Sequence, residues 1–137
     1  MDIESLHHVS ITVTDLERSR RFYHEVLGLP EIARPPFDFP GAWFALGAQQ
    51  HLHLIVHNRA TLRGDKPIDG RDNHFAIRVR SYRETLLWLL SIGYREDAPP
   101  EDPLRVVASP HATAGFPQIY ILDPDHHVIE INAAALD

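Results

Sequence analysis

The chain has 137 residues and a mass of 15.6 kDa, enough for one ordinary domain and too short for two. Hydrophobic residues make up 44% and charged residues 23%, usage that argues against disordered, collagen-like or solenoid chains. The absence of cysteine and a net charge of −6 exclude disulfides, thiol nucleophiles and cysteine metal sites, and argue against a basic nucleic-acid footprint. The opening Met1-Asp2-Ile3-Glu4-Ser5 lacks the pattern of a signal peptide, and no run of about 18 apolar residues occurs. The expectation is a cytoplasmic protein with a small-molecule partner and neither nucleic acid nor membrane. Ten histidines leave any metal chemistry to imidazole and carboxylate.

In chain order, His8-Val9-Ser10-Ile11-Thr12-Val13 alternates polar with β-branched apolar residues and predicts a strand. Thr14-Asp15-Leu16-Glu17 is a capping box in which Asp15 serves equally well as the cap. The helix that follows is expected to turn Leu16, Phe22, Tyr23, Val26 and Leu27 inward and to stop at Gly28, where a left-handed C-cap needs glycine. Short strands follow near residues 31–33, 43–46 and 51–57, interrupted by the proline-rich stretch 35–41. After a polar, glycine-bearing linker at residues 59–73, the pattern restarts. His74-Phe75-Ala76-Ile77-Arg78-Val79 repeats the first strand, and Ser81-Tyr82-Arg83-Glu84 repeats the capping box. The second helix is expected to turn Leu86, Leu87, Leu89 and Leu90 inward and to end at Gly93. Strands then follow near residues 94–96, 106–108, 118–122 and 128–132, the last two joined by the turn Asp123-Pro124-Asp125.

Two-residue alternation separates the strand faces. Val9, Ile11 and Val13 face the first helix, leaving His8, Ser10 and Thr12 opposite. Phe75, Ile77 and Val79 face the second, leaving His74, Ala76 and Arg78 opposite. Leu52, Leu54 and Val56 separate from His51, His53 and His57, as Ile129 and Ile131 do from Glu130 and Asn132. The two repeats align His8 with His74 and His53 with Glu130. A half-open antiparallel sheet commonly shows such polar residues to water. The symmetric placement of four potential ligands favours a divalent first-row ion instead. His7, His51, His57, His111 and His127 are assigned to the surface or to supporting positions.

Residues 6–19, Phe22-Tyr23-His24-Glu25-Val26-Leu27-Gly28-Leu29, residues 73–79, Asp123-Pro124-Asp125 and Ile129-Glu130-Ile131 resemble the vicinal oxygen chelate superfamily. That superfamily includes glyoxalase I, fosfomycin-resistance proteins, extradiol dioxygenases and bleomycin-resistance proteins. The resemblance spans nearly the whole chain. It implies an α+β fold of two tandem βαβββ modules forming a curved, half-open mixed sheet around a central cleft. The whole chain, 1–137, is then one domain, with modules at about 5–58 and 74–133, and a homodimer is the common assembly. Carried over by position, His8, His74 and Glu130 become metal ligands and His53 stands at the fourth position. Glyoxalase I typically has a carboxylate where His53 stands, whereas Glu130 keeps the position of the catalytic base. The family turn usually reads Asp-Pro-Asp-Gly, and here His126 replaces the glycine.

The resulting expectation is a glyoxalase-like lyase or isomerase that holds one divalent ion (Zn, Ni, Fe, Mn or Co). It would act on a small α-hydroxycarbonyl compound or thiol adduct by Lewis-acid stabilisation of an enediolate. Glu130 is the candidate base and His53 a ligand or second base. Arg78 is a candidate carboxylate clamp, and Trp43 and Tyr120 are candidate substrate contacts. His8, His74 and Glu130 also spell the facial triad of non-haem iron dioxygenases. A non-enzymatic drug-binding dimer, with Phe37, Phe39, Trp43 and Tyr120 lining an apolar pocket, is the third alternative.

Overall fold

The computed structural model describes residues 1–57 and 63–137; residues 59–62 of the expected linker lie outside the described residues. Among the described residues, eight strands and two α-helices run β1 (His8–Val13), α1 (Leu16–Arg21), β2 (Glu31–Ile32), β3 (Gly41–Leu46), β4 (Gln50–Val56), β5 (His74–Val79), α2 (Tyr82–Ser91), β6 (Val107–Ser109), β7 (Gln118–Leu122) and β8 (Val128–Ala133). They form two compact units, Met1–Leu62 and Arg63–Asp137. Each holds a four-stranded mixed sheet of the same topology, ordered β1-β4-β3-β2 and β5-β8-β7-β6. In each, the first strand pairs in parallel with the last, and the others pair antiparallel. This is the α+β fold of two repeated βαβββ modules. Among the described residues, no helix is long and apolar enough to cross a membrane.

The helix signals act much as the sequence predicts. The Asp15 side chain, rather than Thr14, caps α1 by accepting from the Arg18 amide at 3.0 Å, and Ser81 caps α2 by accepting from the Glu84 amide at 2.9 Å. Gly28 and Gly93 adopt φ of 67° and 107° just beyond the helices, the left-handed geometry that favours glycine. α1 continues as one π-helical turn, Phe22–Val26. Its wider spacing brings the adjacent side chains of Phe22 and Tyr23 both into the core.

Three expectations need correction. Of the α2 leucines expected inside, Leu89 is buried but Leu87 and Leu90 are exposed; Tyr82 takes the inward place, one helical face being too narrow for two adjacent leucine pairs. Residues 94–96 form no strand. Arg95 makes a single bridge to Arg105, because the prolines at 99, 100 and 103 prevent a longer ladder. The sixth strand starts one residue later than expected.

The central strands carry the cores. Leu52 and Leu54 of β4 are buried in the first unit, as are Val13, Tyr23 and Phe44; Ile129 and Ile131 of β8 are buried in the second, opposite Ile121 and Ile119 of β7. Their alternate positions are polar. In β8 every residue is buried, Glu130 and Asn132 included, so those groups must find partners or ligands.

Candidate functional site

Strand register places equivalent residues side by side in each unit. In the first, Ser10, His53 and Trp43 form one cross-strand row. In the second, Ala76, Glu130 and Tyr120 form the matching row. The small residues Ser10 and Ala76 leave room for His8 and His74, two positions earlier on the same face, to lean toward the central strand.

In the first unit the His53 ring stacks on His8 at 4.2 Å, with 15° between the planes. It also stacks on Trp43 at 4.0 Å and 5°. Its Nε2 is buried and has no hydrogen-bond partner. Burial first, and then the electrostatic influence of His8, His51, His7 and Arg34, bring the His53 pKa down to about 4. The imidazole is therefore neutral near pH 7, the state a metal ligand or a base requires. His8 Nδ1 is 2.8 Å from His7 Nδ1, an arrangement in which one ring donates to the other. His51, expected at the surface or in a supporting position, is half-buried with an unpartnered Nδ1.

In the second unit His74 Nδ1 lies 2.7 Å from the Asp72 carbonyl oxygen. A carbonyl only accepts, so Nδ1 carries a proton and Nε2 is left facing Glu130 Oε2 at 3.3 Å. The Glu130 carboxylate accepts from Asn132 Nδ2 on Oε1 at 2.6 Å and from the Tyr120 hydroxyl on Oε2 at 2.9 Å. Burial pushes its pKa up, but hydrogen bonds from Asn132, Gln118 and Tyr120 and the field of His74 outweigh it, and the net shift is downward. Burial, and then the same contact, raise Tyr120 to about 12. Tyr120 thus stays a phenol and a donor.

Arg78, the expected clamp, is exposed and sets its guanidinium over the Phe116 ring at 4.9 Å. Tyr120 and Trp43, the expected substrate contacts, lie against Glu130 and His53. Asn132, Gln118 and the Asp72 carbonyl were not singled out from sequence. The signal for Asn132 was its i+2 spacing from Glu130 on one strand. A main-chain carbonyl carries no signal in residue type.

Within each unit, among the described residues, no three histidine or acidic side chains gather to hold an ion. Each unit holds a pair, His8 with His53 in the first and His74 with Glu130 in the second. These donors fit a divalent cation. An orphaned buried imidazole nitrogen, and a second imidazole nitrogen aimed at an ionised carboxylate, are groups whose lone pairs a cation would satisfy. The Nδ1–H···O=C contact of His74 is the support that fixes the tautomer of a ligating histidine.

The chain matches the sequence model of the Glyoxalase/Bleomycin resistance protein/Dioxygenase superfamily over residues 5–131. It is 31% identical over 135 residues to a protein of Arabidopsis thaliana named Glyoxylase I 4, covering 96% of this chain and 71% of that one. Its fold is similar to a glyoxalase family protein from Bacillus anthracis, at a TM-score of 0.76 and 24% identity over 97% of both chains. It is also similar to a lactoylglutathione lyase from Agrobacterium tumefaciens, at a TM-score of 0.68 and 18% identity over 98% of this chain and 96% of that one.

Proposed function

Since the chain belongs to the Glyoxalase/Bleomycin resistance protein/Dioxygenase superfamily, we propose that it is a metal-dependent, glyoxalase-type lyase or isomerase. Its substrate is a small molecule with two neighbouring oxygens, an α-hydroxycarbonyl compound or a thiol adduct. His8, His53, His74 and Glu130 supply the ligands of one divalent ion, drawn from one chain or from two chains of a homodimer. The observation that carries this reading is His74, whose Nδ1 is engaged by the Asp72 carbonyl while its Nε2 faces an ionised Glu130. The name of the Arabidopsis relative agrees with the reaction class.

When bound, the ion supplies Lewis-acid stabilisation of negative charge developing on the substrate oxygens. Glu130 takes the proton from the carbon beside the carbonyl and returns it to the neighbouring carbon. Asn132 holds Oε1, so Oε2 is the oxygen presented for that exchange. Tyr120 donates to Oε2 and keeps the carboxylate ionised before the proton arrives. His53, neutral at working pH, serves as fourth ligand or as a second base.

The test is metal analysis of protein purified without chelators, followed by Ni²⁺ titration of the Glu130→Ala and His53→Ala variants. Isomerisation of thiol adducts of α-ketoaldehydes and oxygen uptake with catechols are then assayed. Stoichiometric metal, lost in Glu130→Ala, with turnover of the adducts, is the expected result. A parent protein without metal affinity overturns the reading, and oxygen uptake in place of isomerisation replaces it with a dioxygenase.

A further inference from the structure

On the His53 face of the first unit a series of rings continues beyond the groups assigned to the reaction. Trp43 lies flat on His53. Phe37 meets Trp43 at 6.0 Å, and Phe37 and Phe39 stack at 5.1 Å and 18°. The Arg34 guanidinium carbon sits 4.7 Å from the Phe37 ring centre and 4.9 Å from that of Phe39, and the group donates to the Phe39 carbonyl at 2.7 Å. Gly41, at the start of β3, has no Cβ; one placed there would come within 3.3 Å of Arg34 Nε. The cation therefore lies against bare backbone beside the rings.

This surface is built before any ligand arrives. Pro35, Pro36 and Pro40 restrict the loop backbone, and the Phe37 amide donates to the Pro35 carbonyl at 2.8 Å in a tight turn. Yet the loop leaves Phe37 45% and Phe39 38% exposed. Ordered, exposed phenylalanines continuous with a candidate reaction centre are a surface for an apolar ligand to cover. Flat π-faces favour a flat aromatic partner, and the Arg34 guanidinium beside those rings favours an anionic group on it.

We propose that Arg34, Phe37, Phe39 and Trp43 form a subsite for a planar aromatic anion, an aryl group bearing a carboxylate. As the remote part of the substrate it rests on the reading of His53 and Glu130 as a metal centre; as a binding surface it does not. The sequence contains two tryptophans, so a Trp88→Phe background makes Trp43 emission the reporter. 2-Naphthoate, cyclohexanecarboxylate and neutral 2-naphthylmethanol are titrated. Saturable quenching by naphthoate is expected, about tenfold or more tighter than by cyclohexanecarboxylate. Arg34→Met should weaken naphthoate by about tenfold while leaving naphthylmethanol nearly unchanged, and Phe37→Leu should weaken both. Equal binding of naphthoate and cyclohexanecarboxylate, or no loss in Arg34→Met, overturns the subsite. So does loss of naphthoate binding as protein concentration and self-association rise, which would assign the surface to a second copy of the chain. Ni²⁺ titration of the same proteins separates the two readings. Arene selectivity without metal affinity upholds the subsite and removes the metal centre; metal affinity without arene selectivity does the reverse.

Discussion

His74 Nε2 stands 3.3 Å from Glu130 Oε2, across a parallel strand pair whose register sets Ala76 against Glu130. With Nδ1 committed to the Asp72 carbonyl, Nε2 has two options. It takes a second proton and pairs with the carboxylate, or it shares a cation with it. The Nε2 lone pair is therefore what an ion would take, and His74→Ala should lose Ni²⁺ affinity in a titration.

Asn132 tests how the carboxylate is held. Asn132→Leu removes the donor to Oε1 and also an Oδ1 that is buried without a partner, so its stability cost should be small. Removing the donor should still lower metal affinity by about 10–100-fold. Ni²⁺ titration alongside a urea melt distinguishes this from simple unfolding.

Tyr120→Phe removes the donor to Glu130 Oε2. Stability should fall by about 1 kcal/mol. The Glu130 pKa, held down in part by this bond, should rise, moving the acid limb of the kcat/KM profile to higher pH. An unmoved acid limb would remove Tyr120 from the site.

The metal-free protein should lose stability in acid through His53. An unfolded histidine takes up a proton near 6.5, whereas the folded one waits until about 4. The contribution is complete above 6.5, is lost as pH falls from 6.5 through about 4, and is absent below. Urea melts over that window should slope less steeply in His53→Gln.

Two backbone positions make opposite predictions. A Cβ at Gly41 would lie 2.4 Å from the Leu54 carbonyl oxygen, so Gly41→Ala should force β3 and β4 apart and cost about 1–3 kcal/mol. His126, at φ 67°, where glycine carries no Cβ penalty, should be improved by His126→Gly by up to about 1 kcal/mol. Its contacts, 3.2 Å to the Gly64 carbonyl and 3.5 Å to a nearly fully exposed Asp65, are worth less than the relieved strain. Denaturant midpoints measure both.

The repeat, the helix caps and the faces of His8, His53 and His74 are legible in residue order. Alternation of two and a glycine stop are local properties that read directly from residue order. It also held more than that. Hairpin pairing runs symmetrically about its turn, so the stretch between Leu46 and Gln50 already sets Trp43 against His53, and the turn after Leu122 sets Tyr120 against Glu130. What those neighbours do follows from packing. Whether Tyr120 offers its ring to substrate or its hydroxyl to Glu130 depends on rotamers and burial, and so does the sandwich of His53 between His8 and Trp43. The Asp72 carbonyl, which orients His74, belongs to the main chain that every residue shares. Residue order determines which side chains meet; packing in a buried central strand determines which lone pair or proton each presents.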